Sequence, residues 1–270
     1  MDSVKNRIRA HKNAKKGIND IINKKEYVLI IHYSCEGFND VFESKTPRIA
    51  SIVVKNFDNG QTKSFSIDTT AEKEDVGNSR IMQNYDSLEK KFLDGFFAYV
   101  KEHPQNYWIN WNMRNIKYGF EAINQRYRVL GGTPFEIDEN HRLDLSRIFD
   151  ELYGEKYIKD SKLIALAQKN NFNQSDLLNG KEEAEAFQNG EFAKIHLSTL
   201  RKVELIDKYL RHSAESRLKT DTSIRQIYGL TPQGIFELAK ENWVISLVFT
   251  IIGIIICTII TMVISKLFTF

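Results

Sequence analysis

Ser34, Cys35 and Glu36 close an apolar run that begins at Tyr27, setting a hydroxyl, a thiol and a carboxylate at the end of one predicted strand. Trp111, Asn112 and Arg114 form a second polar group, and His196 and Arg201, five positions apart, a third. Carboxylate and imidazole are the groups that hold metal ions or move protons. An arginine fork suits phosphate, and Tyr33, Phe38, Trp111 and Tyr118 offer faces on which bases can stack. These residue types also fill ordinary loops and cores. A fourth set is of another kind: Ser246, Thr250, Gly253, Cys257 and Thr261 fall on one face of a helix turning about 100° per residue. Small and hydroxylated residues let apolar helices approach closely, so the stripe predicts self-association, and a ring of copies with hydroxyls inward could line a pore. The bland reading of the same stripe is an anchor whose hydroxyls bond back to their own helix.

The elements that would position these groups follow from periodicity. Glu26 to Tyr33 reads as a strand covered on both faces, because Tyr27 to Ile31 is continuously apolar and rich in β-branched residues. Ile49 to Asn56 makes a second strand, Phe57 to Gly60 a turn carrying Asn-Gly, and Gln61 to Asp68 a third strand, which together predict an antiparallel meander. Tyr85 to His103 is helical, with Leu88, Phe92, Phe96 and Val100 inward, Glu89, Lys90 and Lys91 outward, and Pro104 as the stop. Tyr107 to Asn112 reads as a strand, and Tyr118 to Leu130 as a helix closed by Gly131-Gly132. Arg142 to Leu145 is a brief segment; Leu145 to Leu152, Ser161 to Asn170 and one long stretch from Phe187 to Leu210 are helical. Strands first, then alternating helices and strands, predict an α/β domain with a mixed sheet.

The last stretch is of a different class. From Trp243 to Ile264 no charged residue interrupts the run, with Glu241 before it and Lys266 after. About twenty apolar residues cover a hydrocarbon core of roughly 30 Å, so one C-terminal transmembrane helix is predicted over 242–266. Its position excludes a cleaved signal peptide. Lys240 and the lysine-rich N-terminal region favour a cytoplasmic body by the positive-inside rule, against the single Lys266 beyond the span.

The net charge of +3 conceals an asymmetry. Residues 1–25 hold eight basic residues against Asp2 and Asp20, a balance of +6 that leaves −3 for the remainder. Globally the body carries no nucleic-acid signature, so an anionic ligand would be met locally. In the basic arm Val4, Ile8, Ala14, Ile18, Ile21 and Ile22 make the apolar stripe of an amphipathic helix. Such a helix can pack on the domain, lie on anionic lipid beside the span, or touch nucleic acid. The cysteines, Cys35 in the body and Cys257 in the span, are not expected to pair.

In the order of its motifs the chain resembles the ribonuclease H-like 3′-5′ exonucleases of the DEDD type with histidine as the variable residue. Ser34-Cys35-Glu36 stands where that family has Asp-x-Glu; Trp108 to Asn112, leading to Tyr118 to Glu121, resembles the second motif without a clear metal-binding Asp; His196 to Arg201 resembles the third, with Arg201 in place of its Asp. The resemblance covers about residues 26–213, with 214–241 as a juxtamembrane segment. It implies a ribonuclease H-like mixed sheet flanked by helices. Two-metal hydrolysis needs several carboxylates, and one retained glutamate does not provide them. What it implies is therefore a catalytically dead domain, without metal or cofactor, that binds a single-stranded nucleic-acid oligomer through Tyr33, Ser34, Cys35, Glu36, Phe38, Trp111, Asn112, Arg114, His196 and Arg201. Joined to a pore-forming homo-oligomeric span in membrane lipid, it resembles the transmembrane effectors of bacterial anti-phage abortive-infection systems, which would place it in the inner membrane with its body cytoplasmic. Two competing readings are a working exonuclease drawing its ligands from Glu36, Glu121, Asp144 and Asp207, and an anchored scaffold.

Overall fold

The computed structural model describes residues 4–37, 46–115, 118–241 and 243–268. After helix α1 (Val4–Asn23) the chain lays down strands β1 (Val28–Cys35), β2 (Ile49–Asn56) and β3 (Thr62–Ser66), then helices α2 (Ile67–Lys73) and α3 (Tyr85–Glu102). Strand β4 (Tyr107–Asn110) and the short pair β5 (Arg114–Asn115) and β6 (Tyr118–Gly119) lead to helix α4 (Phe120–Val129) and strand β7 (Arg142–Asp144). The remainder is helical: α5 (Leu145–Tyr153), α6 (Lys162–Lys169), α7 (Gly180–Gln188), α8 (Phe192–Ala214), α9 (Ile224–Tyr228), α10 (Pro232–Glu241) and α11 (Trp243–Phe268).

Five strands form one mixed sheet in the order β3-β2-β1-β4-β7. β1 pairs antiparallel with β2, as β2 does with β3, which is the predicted meander; β1 and β4, and β4 and β7, run parallel. β1 lies at the centre and is buried at every position, as its uninterrupted apolar run requires. Its alternate side chains feed two cores. Leu29, Ile31, Tyr33 and Cys35 join Phe92, Phe96, Trp108 and Phe187 on one face. Val28 and Ile30 join Ile109, Leu145, Phe149, Ile206 and Tyr209 on the other. The α/β class and the mixed, helix-flanked sheet agree with the sequence reading.

Four local expectations change. The third strand stops at Ser66, whose carbonyl accepts the Thr70 hydroxyl at 2.7 Å as α2 begins. Glu89 is fully buried rather than outward: it accepts the Ile49 N–H at 2.6 Å and Arg126 Nε at 2.9 Å. The helix predicted from Phe187 is two helices. Gly190, at φ +71°, and Glu191 return their N–H groups to Phe187 and Ala186, a C-terminal lock that ends α7 before α8 starts. The juxtamembrane stretch also holds α9, opened by a Ser223/Gln226 capping box.

Helix α1 packs on α5 and α8 of the body and on α9 and α10. Among the described residues one helix, Trp243–Ser265, is long and apolar enough to cross a membrane, with a mean hydropathy of 2.9 and none of that window buried within the chain.

Candidate functional site

A cleft of about 510 Å³ opens where the chain leaves β1, β4 and β7, lined by His32, Trp111, Asn112, Tyr118, Ser146, Glu183 and Lys202 among others. The C-terminal ends of parallel strands are where open α/β sheets receive ligands, because the chain diverges there. Its floor comes from β1. A strand turns alternate side chains to one face, so His32 and Ser34 look towards Lys202 and Thr199 of α8 while Tyr33 and Cys35 join the opposite core. A bulge between Ser34 and Cys35 then breaks the alternation.

Ser34 is the hub of a buried polar knot. Its hydroxyl donates to Glu183 Oε1 at 2.8 Å and accepts from Thr199 Oγ1 at 2.9 Å. Ser198 Oγ donates to the same Glu183 oxygen at 3.2 Å, and Lys202 Nζ reaches it at 2.7 Å. Glu183 is 12% and Lys202 10% exposed, so this is a charge pair held largely out of water and kept tolerable by the surrounding hydroxyls. Glu183 rides on α7, whose Asn179/Glu182 capping box fixes the start of that short helix.

His32 sits beside them, 5% exposed, with Nε2 at 3.4 Å from the Tyr118 hydroxyl. Its Nδ1 is buried and has no hydrogen-bond partner among the described residues. Burial, and after it the Lys202 ammonium, push the imidazole well below its ordinary range, so the ring is neutral. Although His32 lines the cleft, this nitrogen is itself shut off from solvent.

The predicted residues divide. Ser34, Trp111 and Asn112 come to this cleft, Ser34 beneath it and the other two in its lining. Asn112, at φ +57°, is held by its N–H bond to Asp144 at 3.0 Å. Trp111 is 7% exposed and wedged against Phe149 and Tyr209, so it is chiefly a core residue. Tyr33 is buried, its ring stacked on Tyr118 at 4.7 Å and its hydroxyl accepting the Gly119 N–H, which leaves no face for a base. Cys35 faces the opposite core, where burial pushes its thiol far up and leaves it inert. Glu36 turns to Arg48, which grips both carboxylate oxygens at 3.0 and 2.8 Å. Burial alone would raise the Glu36 carboxyl, but the Arg48 fork overrides it and holds the group below its ordinary range.

His196 also leaves the cleft. Its Nδ1 is 2.8 Å from Ser51 Oγ on β2, and burial lowers its ring against a smaller upward pull from Asp68. Arg201 turns outward to the Ser175 carbonyl at 3.0 Å and to Glu204. Arg114 pairs through its backbone with Gly119, its side chain lying outside the described residues, as does Phe38. Sequence reasoning missed His32, Glu183 and Lys202. The first is hidden because the bulge is seen only in the sheet: residues two apart on a strand share a face, which His32 and Ser34 do, whereas the bulge turns Glu36 away from Ser34.

The resemblance to metal-dependent exonucleases raises the question of two Mg²⁺ ions, and this cleft does not suit them. A lysine ammonium occupies its interior, the imidazole beside it feels that charge, and Glu183 is already neutralised. Among the described residues no group of three or more His, Cys, Asp or Glu side chains converges on a point that could hold a metal. The carboxylates of the exonuclease alternative are scattered: Glu36 binds Arg48, Glu121 binds Arg142, Asp144 caps α5, and Asp207 binds Lys55 and Arg211.

On α11, the Thr250, Gly253, Cys257 and Thr261 face is open, with Ile254 and Thr258 along its edge. Thr250 and Thr261 each donate to the carbonyl four residues back, at 2.9 and 2.8 Å. In this single chain the hydroxyls therefore satisfy themselves. No family model, curated protein or solved structure matches the chain.

Proposed function

We propose that this chain is a membrane-tethered sensor of single-stranded nucleic acid, in which a catalytically dead, ribonuclease H-like body governs an oligomer of C-terminal helices. The observation that carries the reading is the Lys202 ammonium inside the cleft at the ends of β1, β4 and β7, a fixed cation where a nuclease of the resembled family would need metal-binding carboxylates. A phosphate entering the cleft would compete with Glu183 for Lys202, and the exposed Asn112 would be at hand for a base or sugar edge. Binding without hydrolysis leaves α11 as the output, and its open small-residue face is a surface on which copies can meet. This combination is what the resemblance to anti-phage abortive-infection effectors, those of the Hailong type among them, would entail, with the body in a bacterial cytoplasm and the span in the inner membrane.

The test uses the purified full chain in detergent with fluorescent single-stranded DNA and RNA. Binding should weaken with salt, by about 0.7 in log–log slope for each phosphate neutralised. The double variant Lys202→Met with Glu183→Gln removes both charges together and should lower affinity at least about tenfold, the order expected for losing one charge-assisted contact. In Mg²⁺ or Mn²⁺ the strand should keep its length. Shortening that Glu36→Ala abolishes would establish the exonuclease instead, and absence of any binding would refute both.

A further inference from the structure

The basic N-terminal helix is not a loose arm, since it packs on α5, α8, α9 and α10. On α1, Lys5, Arg9, Lys12 and Lys16 fall within an arc of about 60° at about 100° per residue, on the side away from Ala14, Ile18 and Ile21. Lys5, Arg9 and Lys16 are exposed and have no ion-pair partner among the described residues. Lys12, in the middle of the stripe, bonds Glu237 of α10. Glu237 lies six positions before Trp243, so Lys12 is tied to the element that leads into the apolar segment. Juxtamembrane basic residues are drawn to anionic headgroups over about one Debye length at physiological salt. Apolar side chains share this neighbourhood: Phe236 on α10 is 61% exposed and Trp243 is 77% exposed. A cationic stripe beside exposed aromatic rings at the mouth of a span is the composition of an interfacial surface.

We infer that the α1 stripe, fixed to α10 through Lys12, docks on the phosphate headgroups of anionic lipid around the span, with Phe236 and Trp243 at the headgroup level. The inference rests on the reading of α11 as a membrane span. It commits to lipid rather than nucleic acid because the stripe is tied to the element that leads into the span, whereas the cleft is lined from the strand ends and α7.

The experiment compares lysine acylation, read by mass spectrometry, on the full chain in nanodiscs of phosphatidylcholine alone and of phosphatidylcholine with about a third phosphatidylglycerol. Lys5 and Lys16 should react at least about threefold more slowly in the anionic discs, with the protection lost in about 0.5 M salt. Lys63, exposed on β3, is the internal reference and should not change. Equal reactivity of Lys5 and Lys16 in the two discs overturns the inference and leaves the span reading intact. Failure of the chain to enter either disc overturns both. Protection of Lys5 and Lys16 by single-stranded DNA in neutral discs, without protection by phosphatidylglycerol, would make the stripe a nucleic-acid surface and also overturn it.

Discussion

A buried lysine is tolerated when something answers its charge, and here Glu183 answers Lys202 within a ring of hydroxyls. Taking away only one partner strands the other, which for buried pairs costs about 3–5 kcal/mol, whereas removing both is often nearly neutral. His32 adds a test of its own. In the unfolded chain its ring takes up a proton below about pH 6.5, whereas in the folded chain burial and Lys202 hold the ring neutral to a lower pH. At this site the unfolded state thus binds more protons in that window, so the His32 contribution to stability falls as pH drops through it, by up to about 1.4 kcal/mol per pH unit. The buried Glu89 carboxyl, raised to about 7, works the other way and His196 the same way, so the slope is read as a difference. By denaturant unfolding in detergent between pH 5 and 7, the stability of the full chain relative to His32→Gln should fall as pH drops; a difference that does not change with pH would mean that the buried ring is not the source.

Elements explain why some of the chain was legible and some was not. β1 and β2 were readable because a run such as Ile49 to Val54 has only one comfortable home, in a sheet covered on both faces. α3 was readable from its period, except at Glu89, where charge pointed outward and only the distant Arg126 and the Ile49 N–H explain burial. The α7–α8 break depends on Gly190, a signal present in the sequence as Asn-Gly but outweighed by the apolar period around it. The cleft was least legible, because Glu183 and Lys202 lie about 150 and 170 residues beyond Ser34 and His32, and no local pattern joins them. Helix α7 is the element whose loosening should be felt there. Asn179→Ala removes its cap and should cost about 1 kcal/mol by denaturation. Because Glu183 rides on that helix, single-strand binding should weaken too, and loss of stability with binding intact would separate α7 from the ligand.

At the scale of the whole molecule the proposed oligomer turns on how copies would meet. The back-bonded hydroxyls of Thr250 and Thr261 need no partner, so in that proposal close approach would come from the shallowness of the Gly253 and Cys257 surface rather than from hydrogen bonds across helices. Thr250→Leu with Cys257→Leu fills that surface with branched side chains. Crosslinking in membranes should then lose its higher-order bands, and cells expressing the variant should keep their membrane potential. Retained oligomers and continued depolarisation would place the contact on another face.

Lys12 and Glu237 are separated by 225 positions, the longest span of sequence bridged by the hydrogen bonds described above. Closing so long a loop in a disordered chain costs about 5 kcal/mol of entropy, far beyond what a partly exposed ion pair returns. The contact can therefore form only after the sheet and its helices have brought the two ends together. The Lys12–Glu237 contact thus follows, and does not lead, the docking of α1 on α5 and α8, and it is the body that holds the first helix and α10 together.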